Sequence, residues 1–280
     1  MRKLLLVDGM NLLFQMFYGM PARIVNSDGK AIQGTLGFVG ALLKIIRLVR
    51  PTHAIVIFDG ECENERRDID ENYKANRPDY SQIPEEELPF SQLPDIYSAL
   101  DLIGIRYFET TNCETDDLIA SYALKHGEEC EVVICSQDSD FFQLIDSNVS
   151  VLRYRGESSV ICTPDYIREK LGIEPALYAD YKSLTGDSAD NIKGAEKVGA
   201  KTAAMLVNEF GSLENIIARA EQIKKPSVRE SVKRDEERLL KNYALIRLSD
   251  KAPIPFELEK LEYSYSGITT TEVLRGIGLR

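Results

Sequence analysis

The chain has 280 residues, a length that predicts one large domain or two small ones. Hydrophobic residues make up 44% of it and charged residues 28%, which excludes a disordered or low-complexity protein. The 34 basic and 45 acidic residues leave a net charge of −11. This charge excludes a basic surface over the whole protein, of the kind that binds nucleic acid or anionic lipid, but it leaves room for a local basic path.

The cysteines and the apolar segments indicate the compartment. The five cysteines are odd in number and show no C-x-x-C spacing, which argues against a disulfide framework or a zinc cluster and favours a reducing cytosol. The apolar run at residues 4–7 ends at Asp8 and is too short for a secretory signal. The stretch 37–49 carries Lys44 and Arg47, so no membrane span is expected. These features predict a cytoplasmic protein that makes no contact with membranes.

Three short apolar runs, each followed by an acid, predict the strands of a parallel sheet. Residues 4–7 precede Asp8, residues 54–58 precede Asp59, and residues 132–137 precede Asp138. Such unbroken runs are typical of buried parallel strands. The alternation with helices predicts an α/β sheet with right-handed crossovers. Helical patterns cover residues 36–50, 93–102 and 116–126, and residues 149–154 are predicted to form an edge strand.

Beyond residue 163 the pattern becomes helical. We therefore expect an α/β core over residues 1–163 and a helical region over 164–280 that packs on it without a linker. The segment 68–93 is polar, contains Pro78, Pro84 and Pro89, and is long for a connection, which is typical of a functional or mobile loop. The tail 253–280 carries no functional signal. Helices are predicted over residues 164–171, 178–185, 200–210, 213–220 and 228–248.

Acidic residues are concentrated where the predicted strands end. Ligands of an open α/β sheet bind beyond the carboxyl ends of its strands, so the acids that follow the three runs should meet there. Taken singly, the other acidic groups have plainer interpretations: a capping box at 111–114, a strand-to-helix turn at 138–140 and helix caps at 187–190. The nine candidate metal ligands are Asp8, Asp59, Glu114, Asp116, Asp117, Asp138, Asp140, Asp187 and Asp190.

Considered together, the nine acids favour a metal centre. Packing several carboxylates together without cations costs many kcal/mol of repulsion and desolvation. Oxygen ligands without His or Cys select hard ions, meaning Mg²⁺ or Mn²⁺. The only histidines, His53 and His126, lie outside these groups. The pattern predicts a phosphodiesterase with two or more ions, about 3.5–4 Å apart.

Two basic stretches are candidates for phosphate binding. Lys74 and Arg77 are three residues apart and would share a helix face with Tyr73 beside them. That face is either simply solvated or, near a metal site, clamps a scissile phosphate while Tyr73 stacks on a base. The glycine-punctuated turn 194–203 is either an ordinary helix connection or points backbone N–H groups and Lys201 at a phosphate. The mixed run 224–241 is more typical of a solvated helix.

These residues together resemble a known family. From about residue 4 to residue 248 the chain resembles the 5′-nuclease domain of bacterial DNA polymerase I and stand-alone bacterial flap endonucleases. Because the sequence ends at Arg280 without a polymerase, it resembles the stand-alone form. The motifs, in the family's order and spacing, are Leu-Val-Asp8-Gly, Phe-Asp59-Gly, Tyr73-Lys74-x-x-Arg77, Glu114-x-Asp116-Asp117, Asp138-x-Asp140 and Gly-Asp187-Ser-x-Asp190-Asn-Ile.

The resemblance implies a PIN-like nuclease core and assigns the candidate ligands. The first metal would be bound by Asp8, Asp59, Glu114 and Asp116, and the second by Asp116, Asp117, Asp138 and Asp140, partly through water. Asp187 and Asp190 would complete an outer or third site. The implied catalytic residues are Lys74, Arg77 and Asp116.

The resemblance also implies two DNA-binding parts. Lys74 and Arg77 would lie at the base of a helical arch formed by residues 68–93, through or beside which a 5′ strand passes. A helix–hairpin–helix at about 183–210, part of a helix–three-turn–helix, would grip duplex phosphates around a potassium ion. The implied DNA-binding residues are Arg67, Tyr73, Gly194, Val198, Gly199, Lys201 and Thr202.

Four positions depart from the family pattern. Gln15 stands where the family usually has Arg, and Gln137 and Ser139 replace Gly and Lys around Asp138. Lys197 replaces the first glycine of the hairpin's Gly-x-Gly, which bears on the potassium site. None of these changes removes an implied metal ligand, so an inactive relative is not favoured.

The implied activity is that of a 5′-3′ exonuclease and flap endonuclease. It would hydrolyse DNA phosphodiesters at 5′ ends and flap junctions with divalent metals, leaving 5′-phosphate and 3′-hydroxyl. Lys74 and Arg77 would stabilise the charge that develops on the phosphoryl group. Removal of RNA primers at RNA–DNA junctions and DNA repair, by a monomer working alongside a DNA polymerase, are the implied roles.

Two alternatives stay open at this point. A PIN-type ribonuclease would keep Asp8, Glu114 and Asp138 but would need neither the hairpin nor the arch. A protein that binds DNA structures without turnover would use the hairpin alone. The complete acid set weighs against the second alternative, because carboxylates without metal repel DNA.

Overall fold

A six-stranded sheet forms the centre of the protein. The computed structural model describes residues 2–60, 65–77, 80 and 82–279. The strands lie in the order β3-β2-β1-β4-β5-β6, and every neighbouring pair is parallel except β5 and β6. The mostly parallel sheet predicted from the sequence is therefore confirmed. The strands are β1 (Lys3–Asp8), β2 (His53–Phe58), β3 (Arg106–Glu109), β4 (Glu131–Cys135), β5 (Val149–Arg153) and β6 (Val160–Cys162).

The edges of the sheet differ from the prediction. The segment predicted as an edge strand forms β5, but β6 pairs with it on the outside, so β6 is the edge on that side. On the opposite edge, β3 was not predicted at all. Its four residues are partly exposed, and so short a segment carries no apolar run. Edge strands are short and polar because solvent covers one of their sides.

Helices cover one face of the sheet. The helices on this face are α1 (Gly9–Gly19), α2 (Gln33–Val49), α4 (Leu93–Ile103) and α12 (Thr270–Gly276). Leu5 and Val7 of β1 point to this face and belong to a buried cluster that includes residues of α2 and α4. The alternate residues Leu4 and Leu6 point to the other face, where α5 (Thr115–His126) packs. Burial of both faces explains the unbroken apolar runs of the inner strands.

The C-terminal region is helical and packs on the α5 side. Buried residues of the sheet, such as Ile134, share one continuous core with Leu184 and Val207 of this region. Packing without a linker is thus confirmed, whereas the exact division at residue 163 stays a prediction. The elements are α6 (Pro164–Leu171), α7 (Tyr178–Thr185), β7 (Gly186–Asp187), β8 (Ile192–Lys193), α8 (Ala200–Phe210), α9 (Leu213–Ala218), α10 (Pro226–Arg234) and α11 (Glu236–Ile246).

The single helix predicted over 228–248 is wrong, because two helices meet at Asp235. The buried carboxylate of Asp235 accepts a hydrogen bond from the backbone N–H of Glu196 and forms ion pairs with Arg234 and Arg238. These contacts hold the break between α10 and α11 against the turn that precedes α8. No local breaker such as Gly or Pro marks this position in the sequence.

The segment predicted as a helical arch begins with the short helix α3 (Glu65–Ile69) and continues in turns. Between Ile69 and Leu93, the only helical elements among the described residues are the 3₁₀ helices Glu85–Glu87 and Pro89–Gln92. Lys74 has φ of +57°, a left-handed conformation that an α-helix excludes. The prediction that Lys74 and Arg77 share a helix face is therefore wrong. Pro78 lies outside the described residues.

The tail returns to the sheet and packs beside it. The Tyr263 backbone N–H donates to Thr52 O at 2.8 Å, and α12 packs on α2 and α4 with Val273 fully buried. A capping box between Thr269 and Glu272 begins α12. The tail thus completes the core of the first face. Among the described residues, no helix has the length and apolarity needed to cross a bilayer.

Candidate metal centre

The centre is built around Asp8, which ends β1 at the middle of the sheet. β1 lies between β2 and β4, where the strand order reverses, and α/β sheets bind ligands at this point. Asp8 is the N-cap of α1: its Oδ1 accepts from Asn11 N at 3.0 Å, and its Oδ2 accepts from the Ser136 hydroxyl at 2.8 Å. These bonds hold the buried carboxylate in place at the carboxyl end of the sheet.

Four carboxylates interact at the carboxyl end of the sheet. We name Asp8, Asp59, Asp116 and Asp138 the inner acid group. Burial, followed by the charge of Asp59, raises the pKa of Asp8 to about 7. Burial and the charges of Asp138 and Asp8 raise the pKa of Asp116 well above its ordinary range. The structure therefore brings together four acids that lie far apart in the sequence, as the strand-end argument predicts.

Three further acids form the outer acid group: Asp140, Asp187 and Asp190. One carboxylate oxygen from each lies within 4.8 Å of the others. Burial, and then the charge of Asp138, raises the pKa of Asp140 to about 7. The Asp140 backbone N–H donates to Asp138 Oδ1 at 2.8 Å, so the two acid groups adjoin. The Asp140 Oδ1 atom is buried and has no hydrogen-bond partner among the described residues. On α7, Lys182 Nζ lies 2.8 Å from Asp187 Oδ2.

Glu114 and Asp117 contact a buried arginine that the sequence did not single out. Arg66 NH1 lies 2.6 Å from Glu114 Oε2, and its guanidinium forms two hydrogen bonds with the Asp117 carboxylate. Arg66 Nε also donates to Leu245 O at 2.9 Å. Both oxygens of Asp117 are thus used in an ion pair, and its role at a second metal stays a prediction.

Lys74 and Arg77 both reach the acids. Lys74 Nζ lies 3.4 Å from both carboxylate oxygens of Glu114, and its charge also acts on Asp116. Its backbone N–H donates to Asp190 O at 3.1 Å. Arg77 NH2 lies 3.3 Å from Asp190 Oδ1, with 59% of the side chain exposed. The turn at 72–77 therefore places one enclosed and one accessible cation beside the carboxylates.

The predicted stacking of a base on Tyr73 does not fit the position of this side chain, whereas its assignment to DNA binding stays a prediction. The Tyr73 ring is buried in a small cluster with Ile192 and Leu245, so its face is not available to stack on a base. Its hydroxyl lies 3.5 Å from Asp190 Oδ2 instead. An aromatic residue next to charged ones looks like a stacking platform in sequence, although here it anchors the turn. Arg67, by contrast, is exposed.

The predicted hairpin forms a tight turn before α8. At Gly194 a Cβ atom would lie 2.4 Å from Leu184 O, so only glycine fits there. Lys197 has φ of +61°, a conformation that favours the glycine it replaces. Val198 is buried, Thr202 half-buried, and Gly199 and Lys201 are exposed at the start of α8. Lys197 thus adopts a backbone conformation that glycine adopts readily, and the binding of DNA and potassium by this turn stays a prediction.

Two of the other departures from the family pattern, Gln15 and Gln137, take part in a local network. The side-chain amides of Gln15 and Gln137 both donate to Tyr154 O, at 2.7 and 2.9 Å. Arg153 NH2 donates to Gln137 O at 3.0 Å, and Arg155 Nε donates to Gln137 Oε1 at 3.1 Å. Two arginines therefore converge on the residue before Asp138. Helix or strand periodicity carries no signal for such a convergence.

The residues present fit divalent metal ions. Both acid groups offer only carboxylate oxygens, the donors that Mg²⁺ and Mn²⁺ prefer. The pKa values of Asp8 and Asp140 are raised first by burial and then by the neighbouring carboxylates Asp59 and Asp138, so keeping these acids ionised without a cation is costly. Asp140 Oδ1, which no described residue contacts through a hydrogen bond, is available as a ligand atom at the outer group. A bound cation would offset the cost of keeping these buried carboxylates ionised.

Comparisons with known proteins give a consistent result. The family model described as "5′-3′ exonuclease, N-terminal resolvase-like domain" matches residues 3–172, and that described as "5′-3′ exonuclease, C-terminal SAM fold" matches residues 173–267. DNA polymerase I of Rhizobium leguminosarum is 35% identical over 266 residues, which are 92% of this chain and 26% of the polymerase. Thermostable DNA polymerase I of Thermus thermophilus is 34% identical over 257 residues, 91% of this chain and 30% of the polymerase. The chain thus spans less than a third of these relatives.

Solved structures share the fold. The T5 5′-exonuclease with bound divalent zinc ions is 25% identical, with a TM-score of 0.72 over 88% of this chain and 89% of that one. A complex of the bacteriophage T5 D15 flap endonuclease with DNA and metal ions is 23% identical, with a TM-score of 0.74 over 99% of both chains. The predicted arrangement of a sheet with flanking helices and a C-terminal helical region is confirmed by these similarities.

Proposed function

The chain belongs to the 5′-3′ exonuclease family, and from this premise we propose that it hydrolyses DNA at 5′ ends and at flap junctions with divalent metal ions. The observation that carries the proposal is the convergence of seven carboxylates in two adjoining groups beside Lys74. Such a concentration of negative charge attracts a phosphodiester only when cations neutralise it.

Each acid group binds a different metal ion in this proposal. Asp8, Asp59, Asp116 and Asp138 hold one ion, and Asp140, Asp187 and Asp190 hold a further one, with Mg²⁺ or Mn²⁺ as the expected ions. When bound, such ions stabilise phosphate charge and lower the pKa of water. Glu114 is shared between Arg66 and Lys74, so it orients the lysine.

Lys74 and Arg77 contact the phosphate oxygens in the proposed reaction. The Lys74 ammonium is enclosed and held at 3.4 Å from Glu114, so it is pre-oriented toward the charge that develops on the phosphoryl group. Arg77 is accessible and can form a bidentate contact with a phosphate while Asp190 holds its other side. The expected products carry a 5′-phosphate and a 3′-hydroxyl.

The hairpin before α8 is the proposed duplex grip. The first N–H groups of α8 lack partners within the helix, and exposed Lys201 lies beside them, a combination that favours phosphate. The same proposal includes a potassium ion at this turn and an arch over residues 68–93. It also includes a monomeric enzyme that acts on RNA–DNA primer junctions beside a polymerase.

Cleavage of a 5′-labelled flap tests the proposal. We expect cutting near the flap junction that requires Mg²⁺ or Mn²⁺, stops in EDTA and is lost in Asp116→Asn. The matched control is Asp101→Asn, an exposed aspartate on α4, which should cleave normally. Cutting of an RNA hairpin alone would support a PIN-type ribonuclease instead. Tight flap binding without cutting would support a protein that recognises DNA structure without turnover.

A further inference from the structure

A lysine ammonium lies at the outer acid group. Lys182 projects from α7, and its Nζ lies 2.8 Å from Asp187 Oδ2, with only 15% of each side chain exposed. The charge of Lys182 also acts on Asp140, the member of the group whose Oδ1 is buried without a partner among the described residues. A positive charge therefore already lies beside two of the three carboxylates of the outer acid group.

We propose that Lys182 is a built-in counter-ion of the outer acid group that competes with a divalent cation for Asp187 and weakens metal binding there. The inference rests on the proposed metal-dependent function. It predicts two unequal classes of metal site: a tight one at the inner acid group and a weak one at the outer acid group.

Charge and burial distinguish Lys182 from the other cation near this group. Arg77 contacts Asp190 at 3.3 Å, but its side chain is 59% exposed and can turn away into solvent. Lys182 is enclosed, so its charge is screened little by water and salt. The three carboxylates retain less net negative charge for a divalent ion than they would if residue 182 were neutral.

The position of Lys182 follows from the fold. α7 packs against α8 and α11, and β7 begins directly after α7, so Lys182 and Asp187 lie five residues apart on either side of a sharp turn at Gly186. Gly186 has φ of +79°, and a Cβ atom there would lie 2.4 Å from Gly194 N. The rigid turn keeps the ammonium beside the carboxylate, so binding of metal to Asp187 must displace or share this contact.

Titration of the full chain with Mn²⁺ in the absence of DNA, followed by electron paramagnetic resonance, tests the proposal. In Lys182→Gln and Lys182→Met, we expect the dissociation constant of the weaker class of site to fall about tenfold. Lys182→Arg keeps the charge and should keep the weak binding. The control is Lys193→Gln, which removes one positive charge from β8, the strand paired with β7. It should change the dissociation constant of the weaker class of site less than about twofold.

A second variant pair separates competition from distortion of the site. Asp187→Asn removes the hydrogen-bonded partner of Lys182, so adding Lys182→Gln to it should tighten Mn²⁺ binding much less than Lys182→Gln does alone, because only the weaker action on Asp140 remains. Thermal unfolding in EDTA shows that each variant folds, and Mn²⁺ should raise the melting temperature of Lys182→Gln more than that of the wild type.

The outcomes are distinguishable. Equal Mn²⁺ affinities in the wild type, Lys182→Gln and Lys182→Met would overturn the counter-ion proposal and leave the metal-dependent nuclease in place. Weaker binding in Lys182→Gln would overturn it as well, because Lys182 would then support the site. Absence of any Mn²⁺ binding to the wild type would overturn the proposed function itself.

Discussion

Arg66 and Asp117 form a bidentate ion pair, with NH1 to Oδ2 at 2.9 Å and NH2 to Oδ1 at 2.8 Å, although 51 residues separate them. The same guanidinium donates through Nε to Leu245 O near the end of α11. Arg66 thereby joins three parts of the chain: the start of the arch segment, the acid-bearing helix α5 and the C-terminal helical region. Its position determines where Glu114 can point.

Removal of this guanidinium should destabilise the protein strongly. Arg66→Ala leaves the Glu114 and Asp117 carboxylates without their buried partner, and breaking such a pair costs about 3–5 kcal/mol in the free energy of unfolding. Urea unfolding measures the loss. The adjacent exposed Arg67 is the control, and Arg67→Ala should change stability by less than about 0.5 kcal/mol. Equal unfolding midpoints in the two variants would show that the pair is not a structural link.

Lys74 should affect the rate of cleavage more than DNA affinity. Because its ammonium is held beside Glu114 and aimed at the acids, Lys74→Ala should lower the single-turnover rate about 10²–10³-fold at saturating enzyme. Flap binding in Ca²⁺ should change little. Lys44→Ala, on the exposed side of α2, is the matched control and should leave the rate unchanged. A loss confined to binding would assign Lys74 to substrate capture rather than to the reaction.

The acid groups should make the metal-free protein less stable as pH rises. Burial raises the pKa of Asp8 and of Asp140 from 3.8 to about 7, so the folded state binds more protons than the unfolded state between these values. The stability that Asp8 and Asp140 contribute is therefore fully present below pH 4 and is lost as pH rises through 7. In EDTA we expect Asp8→Asn to lose less stability than the wild type between pH 5.5 and 8, by roughly 1–2 kcal/mol.

Two histidines change the pH dependence of stability in the opposite direction. The comparison of Asp8→Asn with the wild type is needed to separate the two effects. Burial lowers the pKa of His53 and of His126, so each adds stability as pH rises through 6.5. Both histidines are unchanged in Asp8→Asn, and their contribution cancels in the difference. Mg²⁺ should reduce that difference because it neutralises the carboxylates. Parallel pH profiles of the wild type and the variant would contradict a raised pKa at Asp8.

The hairpin should be sensitive to a single methyl group at one glycine and tolerant at another. Gly194→Ala would place Cβ at 2.4 Å from Leu184 O, and such overpacking costs about 1–3 kcal/mol. At Gly199 a Cβ atom would meet no described atom within 4 Å, so Gly199→Ala should lie within about 0.5 kcal/mol of the wild type. Thermal unfolding distinguishes the two. Equal stability would mean that the turn before α8 can move aside.

The sheet and the acids could be predicted from the chain alone, because their signals are local. A short apolar run that ends in turn or acidic residues favours a strand buried on both faces, and parallel strands bring Asp8, Asp59 and Asp138 to the carboxyl end of the sheet. Motif spacing also located Lys74 and Arg77. The short edge strand β3 was missed because Arg106–Glu109 is partly exposed and lacks such a run.

The partner of each charged or aromatic residue depends on the folded chain and could not be predicted from the sequence. Arg66 and Arg67 are equivalent in sequence, yet one is enclosed by Glu114 and Asp117 while the other faces solvent. Tyr73 is buried because Ile192 and Leu245, which lie far from it in the sequence, pack around its ring, and Lys182 meets Asp187 because the chain turns sharply at Gly186 between them. Periodicity reports how a residue faces its own element, whereas an ion pair depends on the distance between elements that only the folded chain determines.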